Sequence, residues 1–176
     1  MEIIDHKAPA IVAQMYLGTT APLTRLGWGI TGHVYLSPDL ASAVKVHRRD
    51  ESFWNEVQVY HQLRRLRLDR IHGLTIPKLR AYRADLRIIH MDFVTAPYLL
   101  DFAGASLEQP DFSEETMQDW HNGIQTMFGP NAPIVYAVQR KLAQQGIHYM
   151  DFRPSNMNLT GLAEAQPYPV EDSDDF

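Results

Sequence analysis

The chain has 176 residues, of which 45% are hydrophobic, and this is enough for one domain or two small lobes around a real core. It contains no cysteine, which excludes disulfides, thiolate zinc sites and a cysteine nucleophile. Its formal net charge is -5, but four acids lie within the last six residues, so the remainder is nearly neutral and lacks the basic excess of a nucleic-acid-binding protein.

The stretch GWGITGHV has the glycine spacing G-x-G-x-x-G-x-V, with Gly27, Gly29 and Gly32 followed by Val34. Such spacing lets backbone amides approach a phosphate, either in a strand-to-helix loop or in a hairpin that lies over the phosphates. The residues after Gly32 alternate as a strand does, and Ser37-Pro38-Asp39 is typical of a turn. No helix follows the glycines to offer its N-terminal amides, so the pattern favours the hairpin.

The next two elements are a short apolar strand, residues 41–46, with Lys45 inside it, and a helix that begins near Asp50. The apolar residues of this helix recur on one face: Phe53, Val57, Tyr60 and Leu63. Glu56 lies at the edge of that face, where a glutamate is as often a solvated rim residue as a functional one. Arg64, Arg65, Arg67 and Arg70 follow, and predict either a solvated helix end or a surface that docks an acidic partner.

Two more predicted strands, IPKLRAYRAD and LRIIHMDFV, end at Thr95-Ala96-Pro97. Two helices are then expected, one opened by Asp111 with Glu114 and one delimited by Pro133 and Gly146. Strands first and helices second predict an α+β fold rather than a doubly wound one. The expected division is a small β-rich lobe over residues 1–94 and a helical lobe over residues 95–176.

The stretch GIHYMDFRPSNMNL, residues 146 to 159, separates Asp151 and Asn156 as D-x-x-x-x-N, with Arg153-Pro154 between them. It resembles the catalytic loop H-R-D-L-K-P-x-N of the eukaryotic-type protein kinase family. With the glycine pattern and the strand lysine in the family's order, the resemblance covers residues 20–172. It implies a protein kinase-like two-lobed fold, with a small β-rich N-lobe and a truncated helical C-lobe.

The resemblance also implies roles for individual residues. Lys45 matches the lysine that holds the α- and β-phosphates of ATP, and Glu56 matches the helix glutamate that pairs with it. Met91 falls at the gatekeeper position, and Asp92, Phe93 and Val94 fall where adenine meets the backbone. Asp151 would orient the accepting hydroxyl, and Arg153 would lie near the transferred phosphate.

The resemblance implies Mg²⁺ or Mn²⁺ as well as ATP, with Asn156 as one metal ligand. Three acids of the C-terminal tail are candidates for the second ligand: Glu171, Asp172 and Asp175. Asp172 is favoured, because it lies two residues after Val170 and so fits the family's apolar-x-D rhythm. An acidic solubilising tail is the alternative.

Two departures from the family shape the expected function. Met150 replaces the arginine that binds a phosphorylated activation loop, and the sequence stops near the family's D-F-G motif. The chain is thus similar to the minimal effector kinases of pathogenic bacteria. We expect an ATP-dependent kinase of protein Ser/Thr hydroxyls without activation-loop control. The alternatives are a nucleotide-binding pseudokinase that acts as an interaction module, and a small-molecule kinase, which Met150 and Arg153 fit poorly.

The location of the protein is predicted from two absences in the sequence. No apolar run approaches the roughly 18 residues of a membrane span. The first residues also lack the basic start and apolar block of a secretory leader. A cytoplasmic protein is therefore expected, or one secreted into a host cell if it is an effector, with ATP and a protein substrate or regulatory partner as its ligands.

Overall fold

A computed structural model of the chain describes residues 8–162. The helices are α1 Pro9–Leu17, α2 Asp50–Arg65, α3 Glu114–Phe128 and α4 Ala132–Gln144. The strands are β1 Arg25–Trp28, β2 Gly32–Leu36, β3 Ser42–His47, β4 Arg70–Ile71, β5 Leu74–Thr75, β6 Leu79–Arg83, β7 Ile88–Asp92, β8 Tyr98–Leu99 and β9 Met157–Asn158. The predicted mixed α+β class, with a β-rich sheet lobe and a helical lobe, is confirmed.

The larger sheet has five antiparallel strands in the order β1-β2-β3-β7-β6. The predicted glycine hairpin is its edge, since β1 pairs with β2 and Gly29 N–H donates to Gly32 O at 2.9 Å across the turn. The register places Val34 opposite Lys45, and Ala43 opposite Met91. The glycines, the lysine and the end of β7 therefore belong to neighbouring strands of one sheet.

Every residue of the central strand β3 is buried, because helices cover both faces of the sheet. Val44 and Val46 join a small core with Val12 and Ala13 of α1. The alternate residues of β3 point the other way, and Ala43 joins the main core with α2. Lys45 is thereby held inside the protein at 3% exposure.

Helix α1 is an element that the sequence patterns did not predict. Its sequence PAIVAQMYL is apolar nearly throughout, so it has almost no amphipathic period, and its first residue is preceded by Ala8 rather than by a polar cap. The helix begins with Pro9 at a position where its missing N–H is harmless, and ends at Gly18 with a φ of 65°.

The helical lobe is built from α3 and α4, close to the predicted bounds. The first of these helices begins three residues later than Asp111, because Ser113 is its cap and accepts a hydrogen bond from Thr116 N–H at 3.2 Å. The second is followed by Gly146, whose φ of 71° is the left-handed conformation expected of a glycine just after a helix.

A second sheet has four strands in the order β4-β5-β8-β9. Its strand β5 runs parallel to β8, and β8 pairs antiparallel with β9, placing Leu99 opposite Met157. This sheet joins strands from both sides of the division expected after Val94, which itself stays a prediction. Because β8 pairs with β9, the chain that follows Asn156 runs next to the strand that leads to Asp101.

Within residues 8–162, no helix combines the length and the apolar character that crossing a membrane requires.

Replacing Gly32 with alanine should destabilise the fold. A Cβ at this position would lie 2.3 Å from the carbonyl oxygen of Val46, so the hairpin must shift away from β3. We expect a loss of about 1–3 kcal/mol in the free energy of unfolding, measured by urea denaturation. The matched control is Gly29→Ala, whose Cβ meets nothing within 4 Å. Equal stability losses in the two variants would contradict this account of the hairpin.

Candidate active site

A cleft of about 520 Å³ lies between the glycine hairpin, the end of β7 and the loop that precedes β9. Eleven residues that the sequence analysis selected line it: Gly27, Gly29, Gly32, Val34, Lys45, Glu56, Met91, Asp92, Phe93, Val94 and Asn156. The hairpin forms the roof, and residues 91–96 form the edge where the two lobes join. The structure thus brings together residues that lie up to 129 positions apart in the chain.

Lys45 and Glu56 form a buried ion pair at the back of this cleft. Lys45 Nζ lies 2.7 Å from Glu56 Oε2, and their side chains are 4% and 1% exposed. Burial alone would raise the pKa of Glu56, but the charge of Lys45 and the proximity of His47 outweigh it and lower the pKa to about 2. Both groups are therefore charged at neutral pH.

His47 is a neighbour of this pair that the sequence analysis did not select. It follows Lys45 by two positions on β3, so its side chain emerges on the same face of the sheet. Its Nε2 atom lies 3.0 Å from Glu56 Oε2, and its Nδ1 atom lies 3.3 Å from the hydroxyl of Ser52 on α2. This contact holds the first turns of α2 against the strand.

Asp101 is the second missed residue, and it lies closer to the lysine than Glu56 does. Its Oδ1 atom is 2.5 Å from Lys45 Nζ, and its side chain is 34% exposed in the cleft. Burial alone would lower the pKa of Lys45, but Glu56 and Asp101 together raise it. The lysine is consequently a permanent cation between two carboxylates.

The loop between α4 and β9 is fixed from within by three polar contacts. Asn156 Nδ2 donates to the carbonyl oxygen of Asp151 at 3.0 Å and to the hydroxyl of Tyr149 at 3.2 Å. The Tyr149 hydroxyl in turn donates to the carbonyl oxygen of Asp151 at 2.9 Å. Burial raises the pKa of Tyr149 well above its usual value, so the hydroxyl keeps its proton. Asn156 Oδ1 accepts a hydrogen bond from Ser155 Oγ at 3.2 Å, and both residues line the cleft.

Asp151 and Arg153 lie on this loop but do not line the cleft itself. Arg153 Nε is 2.7 Å from Asp151 Oδ1, and the two side chains are 61% and 40% exposed. The backbone of this segment is anchored by Trp120, whose indole N–H donates to the carbonyl oxygen of Met150 at 2.8 Å. The Asp151 carboxylate is therefore exposed on this loop, where a substrate hydroxyl can reach it from solvent.

The remaining candidates are placed as follows. Asp172, like Glu171 and Asp175, lies outside the described residues 8–162, so its role as a metal ligand stays a prediction. In the basic cluster, Arg64 and Arg67 line a second cavity of about 290 Å³ behind α2, with Leu63 and Leu68 in its wall. Docking of an acidic partner there also stays a prediction.

The glycine hairpin, the Lys45–Glu56 pair and the loop from Asp151 to Asn156 sit in a mixed α+β fold with a β-rich sheet lobe and a helical lobe. No protein-family model matches the chain, and no curated protein matches it. Among solved structures, the chain is similar to the ternary complex of APH(2")-IIa with streptomycin and ATP, with 14% identity, a TM-score of 0.38, and coverage of 69% of this chain and 37% of that chain. It is also similar to the gentamicin complex of APH(2")-IIa, with 15% identity, a TM-score of 0.38, and coverage of 69% and 38%. The chain therefore spans less than two fifths of the length of these structures.

The Glu56 carboxylate should make the stability of the protein depend on pH in the acid range. Because its pKa falls from 4.5 to about 2 on folding, its contribution is complete above pH 4.5 and is lost as the pH falls toward 2. Urea unfolding at several pH values should show a fall in this window that is much shallower in Glu56→Gln. Glu51→Gln, an exposed glutamate of the same helix, is the control and should keep the wild-type profile. A wild-type slope in Glu56→Gln would mean that other carboxylates cause the acid sensitivity.

Proposed function

We propose that the protein is an ATP-dependent phosphotransferase that transfers the γ-phosphoryl group of Mg-ATP to protein Ser/Thr hydroxyls. The observation that carries the proposal is the buried Lys45–Glu56 pair at the back of a glycine-roofed cleft. A lysine is seldom buried in a sheet unless its charge is needed there, and phosphates are the anions that the backbone amides of a glycine hairpin suit.

The cleft supplies the contacts that ATP requires. Gly27 and Gly29 have open space around their Cα atoms, so a triphosphate can approach the backbone of the hairpin. Lys45 is the cation for the α- and β-phosphates. The apolar walls from Val34, Ala43 and Met91 suit the adenine ring, with the backbone of residues 92–94 at its edge.

The polar groups of the cleft fit a divalent cation of the Mg²⁺ type. This cation prefers oxygen ligands and is commonly held by one or two protein groups together with substrate phosphates. Asn156 offers its Oδ1 atom because its amide nitrogen is already engaged by the loop. Asn156 would hold the cation, with Asp172 as the proposed acid from the tail, and the bound cation would neutralise charge on the phosphates.

The transfer step assigns Asp151 the role of proton acceptor. The acceptor hydroxyl oxygen forms a bond to the γ-phosphorus, the bond from that phosphorus to the oxygen bridging to the β-phosphate breaks, and ADP leaves. The proton of the hydroxyl passes to the Asp151 carboxylate. Arg153, 2.7 Å from this carboxylate, places a positive charge beside the transferred group.

Arg153 also supports a protein Ser/Thr acceptor, because a cation two residues after the loop aspartate followed by Pro154 matches the serine/threonine form of the loop. The exposure of Asp151 at the open end of the loop is compatible with a macromolecular acceptor. The test is a measurement of ADP release and of ³²P transfer from labelled ATP with generic protein acceptors and, separately, with hydroxyl-bearing small molecules. Transfer to small molecules alone would overturn the protein assignment, and binding of ATP without any transfer would indicate a pseudokinase.

Replacement of Lys45 should weaken both ATP binding and phosphotransfer, because it removes the cation at the phosphates. In Lys45→Met the buried Glu56 would keep only His47 as a partner, and the loss of the ion pair should cost up to about 3–5 kcal/mol in stability. The double variant Lys45→Met with Glu56→Gln removes that penalty and shows whether the loss of binding persists in a folded protein. Calorimetric titration with ATP is the measurement. Wild-type affinity in the folded double variant would show that Lys45 is a structural residue only.

Asp151→Asn should leave the affinity for ATP near that of the wild type and reduce the transfer rate by about 100-fold or more, since the carboxylate acts on the acceptor proton. The affinity is measured by titration with a non-hydrolysable ATP analogue and the rate by ³²P transfer. Asp119→Asn, an exposed carboxylate of α3, is the control. A large loss of nucleotide affinity would instead assign Asp151 to nucleotide or metal binding.

A further inference from the structure

Asp101 is a charged residue of the cleft to which the proposed function assigns no role. It follows β8 with backbone angles in the left-handed region, φ 61° and ψ 70°, which is uncommon for a residue other than glycine. Such a backbone persists only where its surroundings enforce it, and it is found at ligand-binding sites more often than elsewhere. Here it turns the side chain toward Lys45, at 2.5 Å.

The position of Asp101 is fixed from two sides. Leu100 N–H donates to the carbonyl oxygen of Asn156 at 2.7 Å, which extends the pairing of β8 with β9 up to the aspartate. Phe102 is fully buried, with its ring centroid 5.8 Å from that of Tyr60 on α2 and 5.5 Å from that of Tyr149. The carboxylate is therefore held by the same two elements that carry Glu56 and Asn156.

The charges around Lys45 do not balance within the described residues. One ammonium faces two carboxylates, and these differ in exposure, since the Glu56 side chain is 1% exposed and that of Asp101 is 34% exposed. Glu56 contacts both Lys45 and His47 through Oε2, and its other oxygen is buried. Asp101 contacts the lysine through Oδ1 and is partly exposed, so it is the one of the two carboxylates that a ligand in the cleft can reach.

Asn156 is paired with Leu100, the residue before Asp101, and it lines the same cleft as Asp101. Its amide nitrogen donates within the loop, and its oxygen, which accepts from Ser155 Oγ at 3.2 Å, has a second lone pair for a cation. No three His, Cys, Asp or Glu side chains of residues 8–162 come together as a cation site of their own. A cation held by one carboxylate, one amide oxygen and the phosphates of a nucleotide matches how Mg²⁺ is commonly bound.

We propose that Asp101 is a ligand of the divalent cation that accompanies the nucleotide, together with Asn156. This assignment rests on the proposed function, because it needs a nucleotide in the cleft. It places the acid of the site at the end of β8, before the loop in the sequence, rather than only in the C-terminal tail.

A second role for the same contact would be inhibitory, with Asp101 occupying Lys45 and so competing with phosphate. The two roles give effects of opposite sign. Removing a metal ligand weakens nucleotide binding only when the cation is present, whereas removing a competitor strengthens binding with and without the cation. The dependence of affinity on Mg²⁺ therefore distinguishes them.

The experiment is a calorimetric titration of ADP into the full chain, once with Mg²⁺ and once with EDTA, for wild type and Asp101→Asn. We expect Mg²⁺ to tighten binding in the wild type, and Asp101→Asn to lose about tenfold or more of that effect. Its affinity in EDTA should stay equal or become tighter, because Lys45 has lost a competing anion. Asp85→Asn, which removes an exposed carboxylate paired with Arg83 outside the cleft, should behave as the wild type.

An independent measurement, cleavage by bound iron, uses the wild-type chain alone, so it does not depend on the folding of the variant. Fe²⁺ can replace Mg²⁺ beside ADP, and when it reduces added hydrogen peroxide it forms hydroxyl radicals that cleave the backbone near the bound ion, while ascorbate returns Fe³⁺ to Fe²⁺. Fragments should end near residues 101 and 156. A separate comparison that does use the variant is Mn²⁺ electron paramagnetic resonance with ADP, which should show fewer bound ions in Asp101→Asn than in the wild type.

Four outcomes would overturn the assignment. Tighter binding of ADP to Asp101→Asn in both conditions would make the contact inhibitory, and equal weakening in both with a lower melting temperature would make it structural. Full retention of the Mg²⁺ effect in Asp101→Asn, with its loss in Asp172→Asn and cleavage confined to the tail, would move the ligand to the tail. Absence of nucleotide binding by the wild type would overturn the proposed function, and this assignment with it.

Discussion

The constraint on which the rest of the structure depends is the charge of Lys45, which lies inside a sheet at 3% exposure. An ammonium removed from water is stable only if anions replace the lost hydration. Glu56 does so from α2, and this requires the helix to lie against β3 with one particular face. Asp101 does so from the strand below the cleft, and this ties the second sheet to the first. The two lobes are therefore joined at the site by charge as well as by the apolar core.

The sequence predicted those elements whose periodicity is strong and whose ends carry turn or cap residues. The hairpin, the lysine strand, α2 and α4 are of this kind, and each lies close to its expected position. Helix α1 was missed because its residues are apolar on all sides, so no period distinguishes a helix from a buried strand. The second sheet was missed because its strands have two residues each, and their pairing depends on contacts far apart in the chain.

The residues of the candidate site also divide into those that the sequence could predict and those that it could not. Glu56 could be selected because its spacing from Phe53 and Tyr60 places it next to the buried face of a helix. Asp101 could not, because it lies 56 residues from Lys45, follows a two-residue strand and points inward through a left-handed backbone. Aspartate adopts the left-handed conformation more readily than most residues, but no local sequence pattern indicates that Asp101 does so. The sequence DFAG from Asp101 to Gly104 does repeat the aspartate-phenylalanine pair of the kinase motif, but it precedes the catalytic loop, where family order gives no reason to look.

The two carboxylates that contact Lys45 differ in their exposure to solvent, and this difference affects how the site can bind an anion. Glu56 is sealed between α2 and β3, and a pKa of about 2 keeps it charged, so it neutralises the lysine in every state of the cleft. Asp101 is partly solvated, so its contact with the lysine is the weaker one in free energy despite its shorter distance, because water competes for it. Only an exchangeable partner of this kind can yield to phosphate without exposing a buried charge. A site built this way keeps its cation in place when empty and still presents it to an incoming anion, which a lysine paired with two sealed carboxylates would not do.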